Sequence, residues 1–126
     1  MYGKRLPVSA LNGKRVVKVV GCEVGSEEIV FTCDDGSVFR MWHEQDCCEN
    51  VRLVDVVGDA GDLLGLIVDA WEVTEEASAA VIGDDSGTWT FYNIQSSLGC
   101  VTLRWLGESN GYYSERVSFC CETTNC

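Results

Sequence analysis

The run His43-Glu44-Gln45-Asp46-Cys47-Cys48-Glu49 puts one imidazole, three carboxylates, an amide and two thiols into seven consecutive residues, with apolar, strand-like sequence on both sides. That mixture permits three chemistries. His43 and Cys47 are four apart and on a helical turn would share a face. With Cys48 and either Cys120 or Cys121 they could complete a tetrahedral zinc set. Two features count against zinc: no Cys-x-x-Cys pair exists, and adjacent Cys47 and Cys48 do not easily reach one ion. His43 could instead activate Cys47 or Cys48 as a thiolate nucleophile, although three neighbouring carboxylates work against a thiolate by raising its pKa. Paired carboxylates, for example Glu108 with Glu44 or Asp46, could do acid–base work or hold magnesium. Nothing in their spacing selects that over solvated loop acids.

A second polar island, Gly107-Glu108-Ser109-Asn110-Gly111-Tyr112-Tyr113-Ser114-Glu115, interrupts another apolar stretch. Binding without chemistry accounts for more of its composition. Glu108, Ser109, Asn110, Ser114 and Glu115 offer hydrogen-bonding groups, and Tyr112 and Tyr113 offer aromatic faces with polar tips. Such a segment can stack a base or sugar, or anchor a protein interface. The plainer alternative is an ordinary loop with an exposed tyrosine. The candidate ligand- or partner-binding residues are therefore His43, Glu44, Gln45, Asp46 and Glu49 from the first island. The second adds Glu108, Ser109, Asn110, Tyr112, Tyr113, Ser114 and Glu115. No residue is assigned as catalytic and no cofactor is expected, with zinc at His43, Cys47 and Cys48 as the minor alternative.

The elements that must position these islands read as short strands joined by tight turns, in keeping with thirteen glycines and a single proline. Valine-rich Arg15–Cys22 is one strand. Glu28–Cys33 and Ser37–His43 are the next two, joined at Asp34-Asp35-Gly36. A three-residue loop there pairs Phe31 with Phe39 and Ile29 with Met41 on one apolar face. His43 continues that phase and should leave the sheet on its core side. Val51–Val57 is a further strand. Asp59 and Asp62 ahead of a leucine cluster suggest a short helix near residues 59–66. Ile67–Val73 could be strand, Asp84-Asp85-Ser86-Gly87 is a turn, and Thr88–Gln95 has the aromatic content of a half-buried strand. Cys100–Leu106 and Glu115–Cys121 read as a hairpin, with Val101, Leu103 and Trp105 on one face and Val117, Phe119 and Cys121 on the other. Matching those faces requires an odd loop, with Gly111 at positive φ. The fold class is thus mainly β: a single antiparallel, twisted sheet or a small barrel or sandwich, with one short helix.

At 126 residues the chain is one domain. Within it, residues 1–14 form a basic N-terminal segment and residues 122–126 a frayed tail. Residues 1–18 hold five of the nine basic side chains and no acid, and the rest of the chain holds all twenty acids, for a net charge of −11. That field repels phosphate backbones, which disfavours direct duplex nucleic-acid binding. It can attract a basic protein surface, or simply keep an apolar domain soluble. No apolar run is long enough to span a bilayer, and no signal-peptide core follows the basic start. A cytoplasmic protein with reduced thiols is expected, despite eight cysteines. Cys22, Cys33 and Cys100 lie inside apolar runs and read as core side chains. Open strand edges are compatible with a homo-oligomer.

At the two islands the chain resembles a family of small proteins with a domain of unknown function, found largely in bacteriophage genomes. The resemblance rests on His43-Glu44-Gln45-Asp46-Cys47-Cys48-Glu49, on Trp89-Thr90-Phe91-Tyr92, and on the segment from Trp105 through Gly107-Glu108-Ser109-Asn110-Gly111-Tyr112-Tyr113-Ser114-Glu115 to Val117. It covers roughly residues 15–120. It implies a phage-encoded accessory protein acting in the host bacterial cytoplasm. The expected function is non-enzymatic binding that counters a host defence system, with a host protein engaged through the acidic surface. The alternatives are sequestration of a small nucleotide signal and a small zinc- or thiol-dependent enzyme.

Overall fold

In Glu28–Cys33 and Val38–Trp42 the alternation of apolar and polar residues decides the structure. Ile29, Phe31, Phe39 and Met41 are all buried, and the strands pair with Phe31 opposite Phe39 and Ile29 opposite Met41. Around this pair the computed structural model builds two antiparallel sheets. It describes residues 4–83, 85–124 and 126, with Lys4 described for its backbone only. Asp84 of the expected turn, the first three residues of the basic segment, and Asn125 of the tail lie outside the described residues.

The strands are β1 (Lys4–Arg5), β2 (Val16–Val20), β3 (Glu28–Cys33), β4 (Val38–Trp42), β5 (Asn50–Val57), β6 (Ile67–Glu76), β7 (Ser86–Ser96), β8 (Cys100–Ser109) and β9 (Ser118–Cys121). One sheet runs in the order β1-β9-β4-β3-β2 and the other β5-β8-β7-β6. They do not close into a barrel, and the fold is a small β sandwich. Between the sheets, Phe31, Phe39, Met41 and Phe119 meet Leu53, Tyr92, Leu103 and Trp105 in one core cluster. The Phe39 and Phe119 rings stack at 5.4 Å. Each large apolar side chain so buried contributes on the order of 1.5–3 kcal/mol by removal from water.

Three expectations change. The helix expected near residues 59–66 is one 3-10 turn, Ala60–Leu63, where Asp59 accepts a hydrogen bond from the Gly61 amide at 2.9 Å. Asp59 does cap a helical start, but Leu63 is drawn into the core and the chain soon turns into β6. Among the described residues the one α-helix is instead α1 (Ala79–Ile82), between β6 and β7.

The second change concerns the expected hairpin of residues 100–106 with 115–121, which does not form. β8 pairs with β5 and β7, whereas β9 pairs with β1 and β4 in the opposite sheet. Their apolar faces do meet, but across the sandwich rather than side by side. Residues 110–117 therefore cross between sheets, with Gly111 at φ +93°. Finally, Cys33 is buried and Cys22 half-buried as expected, but Cys100 is exposed. Alternation along β8 turns Val101, Leu103 and Trp105 inward and leaves Cys100 outside.

Candidate binding groove

His43 follows β4 in phase with Phe39 and Met41, and its side chain is 4% exposed. Its Nδ1 lies 2.7 Å from the carbonyl oxygen of Arg116 and its Nε2 2.8 Å from Oε2 of Glu49. Glu49 is itself shut off from solvent and gathers the loop around its carboxylate. It accepts the backbone N–H groups of Asp46 at 3.0 Å and Cys47 at 2.8 Å, and the Gln45 amide at 3.0 Å. Gln45 also donates to the Glu49 carbonyl at 2.7 Å. Burial alone would raise the Glu49 pKa, but the His43 and backbone donors outweigh it and hold the carboxyl down at about 2. Glu49 and His43 are thus the internal brace of the first island. Glu44 and Asp46 face solvent, and Glu44 pairs with Arg5 at 2.5 Å. The sulfurs of Cys47 and Cys48 lie against each other, as do those of Cys121 and Cys126. Both His43 nitrogens point at protein acceptors, and among the described residues no three metal-ligating side chains come together.

The second island spends its polar groups in a similar way. Glu108 pairs with Arg52 at 3.2 Å. Glu115 accepts Thr88 Oγ1 at 2.8 Å and the Ser109 hydroxyl, and Ser109 Oγ in turn accepts the Gly111 amide at 3.0 Å. Asn110 accepts the Tyr112 amide at 3.0 Å. At the tip, Tyr112 is 90% exposed and its ring lies 6.4 Å from that of Tyr113.

The islands meet at Arg116. His43, Glu44, Gln45, Asp46 and Glu49 line a cleft of about 340 Å³ together with Arg5, Ser114, Arg116 and Ser118. Asn110, Tyr112 and Tyr113 are not part of it. Arg116 also borders a larger cleft of about 610 Å³ between the β1–β9 edge and β6. Arg5, Ser9, Trp71, Glu72, Tyr92 and Phe119 are among its walls. A third cleft, of about 310 Å³, continues along β6 past Glu72, Thr74, Thr88, Thr90 and Glu115. The three adjoin along the open side of the sandwich. Within the larger one, burial and the charge of Glu72 push the Tyr92 phenol well above the usual tyrosine range, and its hydroxyl donates to the Val117 carbonyl at 3.4 Å.

The sequence reading missed Arg5, Trp71, Glu72, Tyr92 and Arg116 as groove residues. Arg116 could have been found, since it directly follows the second island. The others come from strands whose sheet positions no local pattern gives. Among the described residues no helix is long and apolar enough to cross a membrane.

Searches of the curated proteins and of the solved structures gave no match. A family model does match, over residues 9–119, and the chain belongs to that family, the domain of unknown function DUF7448.

Proposed function

We propose that this is a non-enzymatic binding protein, encoded by a bacteriophage and acting in the host cytoplasm to counter a defence system by engaging a basic surface of a host protein. The observation that carries the reading is the charge of β6. It holds Asp69, Glu72, Glu75 and Glu76, all exposed, and no base. Most of the chain's cations are used elsewhere: Arg5 with Glu44, Lys14 with Asp35, Arg40 with Glu28 and Glu122, Arg52 with Glu108, and Arg104 with Asp55. The acids of β6 are left to attract a partner of opposite sign. Charge reversal tests this. In bacteria carrying a defence system that the wild-type chain suppresses, E72K/E75K/E76K should lose suppression, and salt should weaken capture of the host target by the wild type. Full suppression by the triple variant would sink the reading.

A second reading, capture of a small nucleotide, is favoured by one feature: Arg5 and Arg116 border the same 610 Å³ cleft as Trp71. Guanidinium groups suit phosphate, and an indole can stack a base. Calorimetric titration with ADP and with a cyclic dinucleotide should then show binding that Arg116→Ala removes. Heats identical to dilution for both ligands would dispose of it. A zinc- or thiol-dependent enzyme reading has less support, because both His43 nitrogens and the Glu49 carboxylate already have partners within the protein.

A further inference from the structure

The edge of β6 beside the groove carries an inference that deepens the protein-partner reading and rests on it. β6 is ten residues long and lies at the edge of its sheet. Its first part is covered: Ile67 exchanges backbone hydrogen bonds with Gly13 and Lys14, at 2.8 Å each. From Trp71 to Glu76 every residue is exposed. The Ala77 amide donates to Gly87 across the ladder at 2.9 Å. Antiparallel ladders alternate, so Val73 and Glu75 also direct their backbone groups toward β7. The N–H and C=O groups of Glu72, Thr74 and Glu76 then point away from β7, and among the described residues they have no backbone partner.

Edges of this kind are usually short, twisted away or guarded by charge. This one is long and guarded only by acids, which discriminates between occupants. Two copies pairing through β6 would set two rows of carboxylates together, so self-pairing is disfavoured. A basic strand would be attracted instead. The two faces also differ. Glu72 and Thr74 line the groove, whereas Trp71, which borders the 610 Å³ cleft, and Val73 alternate with them and are 46% and 44% exposed on the other face of the strand. There they sit opposite Asn93 and Phe91, beside the stacked Trp89 and Phe91 rings. An added strand would therefore place alternate side chains near Glu72 and Glu76, where cations fit, and the intervening ones beside Trp71 and Val73, where apolar groups fit.

We infer that the Glu72–Glu76 edge of β6 is a strand-addition site for an extended segment of a partner protein in which basic and apolar residues alternate. Main-chain hydrogen bonds to Glu72, Thr74 and Glu76 supply the affinity and the side-chain alternation supplies the selection.

The test uses three synthetic peptides with the full chain: one alternating lysine and valine, one with glutamate replacing lysine, and a lysine–valine copy N-methylated on the backbone at alternate residues. Hydrogen exchange by NMR is read at the amides of Glu72, Thr74 and Glu76. The lysine–valine peptide should slow exchange there saturably, the N-methylated copy should bind roughly tenfold more weakly or worse, and the glutamate peptide should not bind. Thr74→Pro should remove the protection, and E72K/E76K, which keeps the backbone intact, should remove it if the proline variant fails to fold.

Equal binding of the N-methylated copy would overturn strand addition while leaving the charge reading standing. So would unchanged exchange at those three amides alongside salt-dependent capture of a host protein. Loss of both would sink both. Protection that rises with protein concentration in the absence of peptide would show a second copy in the site, and would equally overturn the inference.

Discussion

The Nε2 of His43 lies 2.8 Å from Oε2 of Glu49, and both side chains are closed to solvent. The other ring nitrogen faces the Arg116 carbonyl, which can only accept, so Nδ1 carries a proton there. One imidazole thereby ties the loop after β4 to the segment that crosses between the sheets. His43 and Arg116 are 73 residues apart in the chain, and this contact is what holds the relative position of the two islands along the groove.

Acid should dissolve that brace. The Glu49 carboxyl is held at about 2, below its ordinary value, so its contribution to stability is full above the unfolded carboxylate range. It is lost as pH falls from about 4.5 toward 2. Asp35 is also held below the usual range, first by Lys14 and then by Ser37, so its contribution fades in the same direction. Melting temperature measured against pH should therefore fall on the acid side for the wild type. Glu49→Gln should melt lower at neutral pH and show a shallower acid slope, with the Asp35 part remaining. An unchanged slope would mean that Glu49 titrates as an ordinary surface acid.

Phe39 is fully buried, stacked on Phe119 and paired with Phe31 across the hairpin. Phe39→Ala removes a ring from the middle of the core and should cost about 3–5 kcal/mol in urea denaturation. Tyr112→Ala, at a residue 90% exposed, should change stability by less than about 0.5 kcal/mol. A loss under about 1 kcal/mol for Phe39→Ala would show that the two sheets close over the cavity.

The β3–β4 hairpin was legible in the sequence because alternation and the Asp34-Asp35-Gly36 turn act over a few neighbouring residues. His43 could be placed on the core side by the same phase. The hairpin read into Cys100–Leu106 and Glu115–Cys121 failed for a physical reason. Two apolar faces that must be buried together are satisfied equally by lying side by side or by facing each other across a core. Nothing local distinguishes these outcomes, and the Gly111 turn serves both. β6 was hard to read because an edge strand exposed on both faces has no apolar period. The polar islands stand out in the sequence, yet most of their donors and acceptors satisfy one another. A dense run of titratable residues marks a braced loop as readily as a site.

Thiol reactivity should follow burial, not sequence environment. Cys100 is exposed, whereas Cys33 is buried and its thiol is raised mainly by that burial; Cys22 is raised for the same reason. Under native conditions iodoacetamide should modify Cys100 well before Cys22, Cys33 or Cys120. Peptide mapping by mass spectrometry reads the order directly. Labelling of Cys33 at the rate of Cys100 would place residue 33 outside the core.

Gly107 is the position where the second island depends most on an absent side chain. It is buried in β8, opposite Val51 and Thr88, and a Cβ there would collide with the carbonyl oxygen and Cβ of Glu115. The obstacle is backbone, so it cannot be relieved by a rotamer change. Gly107→Ala must push residue 115 outward, pulling the Glu115 carboxylate from Thr88 and Ser109 and dragging Arg116 away from His43. The expected cost is about 1–3 kcal/mol, as for overpacking elsewhere. Faster hydrogen exchange should accompany it at Gly111, whose amide is held by Ser109, and at Asp46 and Cys47, whose amides are held by Glu49. Exchange confined to Gly111 would mean that the second island moves alone and that His43 does not couple the two. Faster exchange at all three amides would establish the coupling through Arg116.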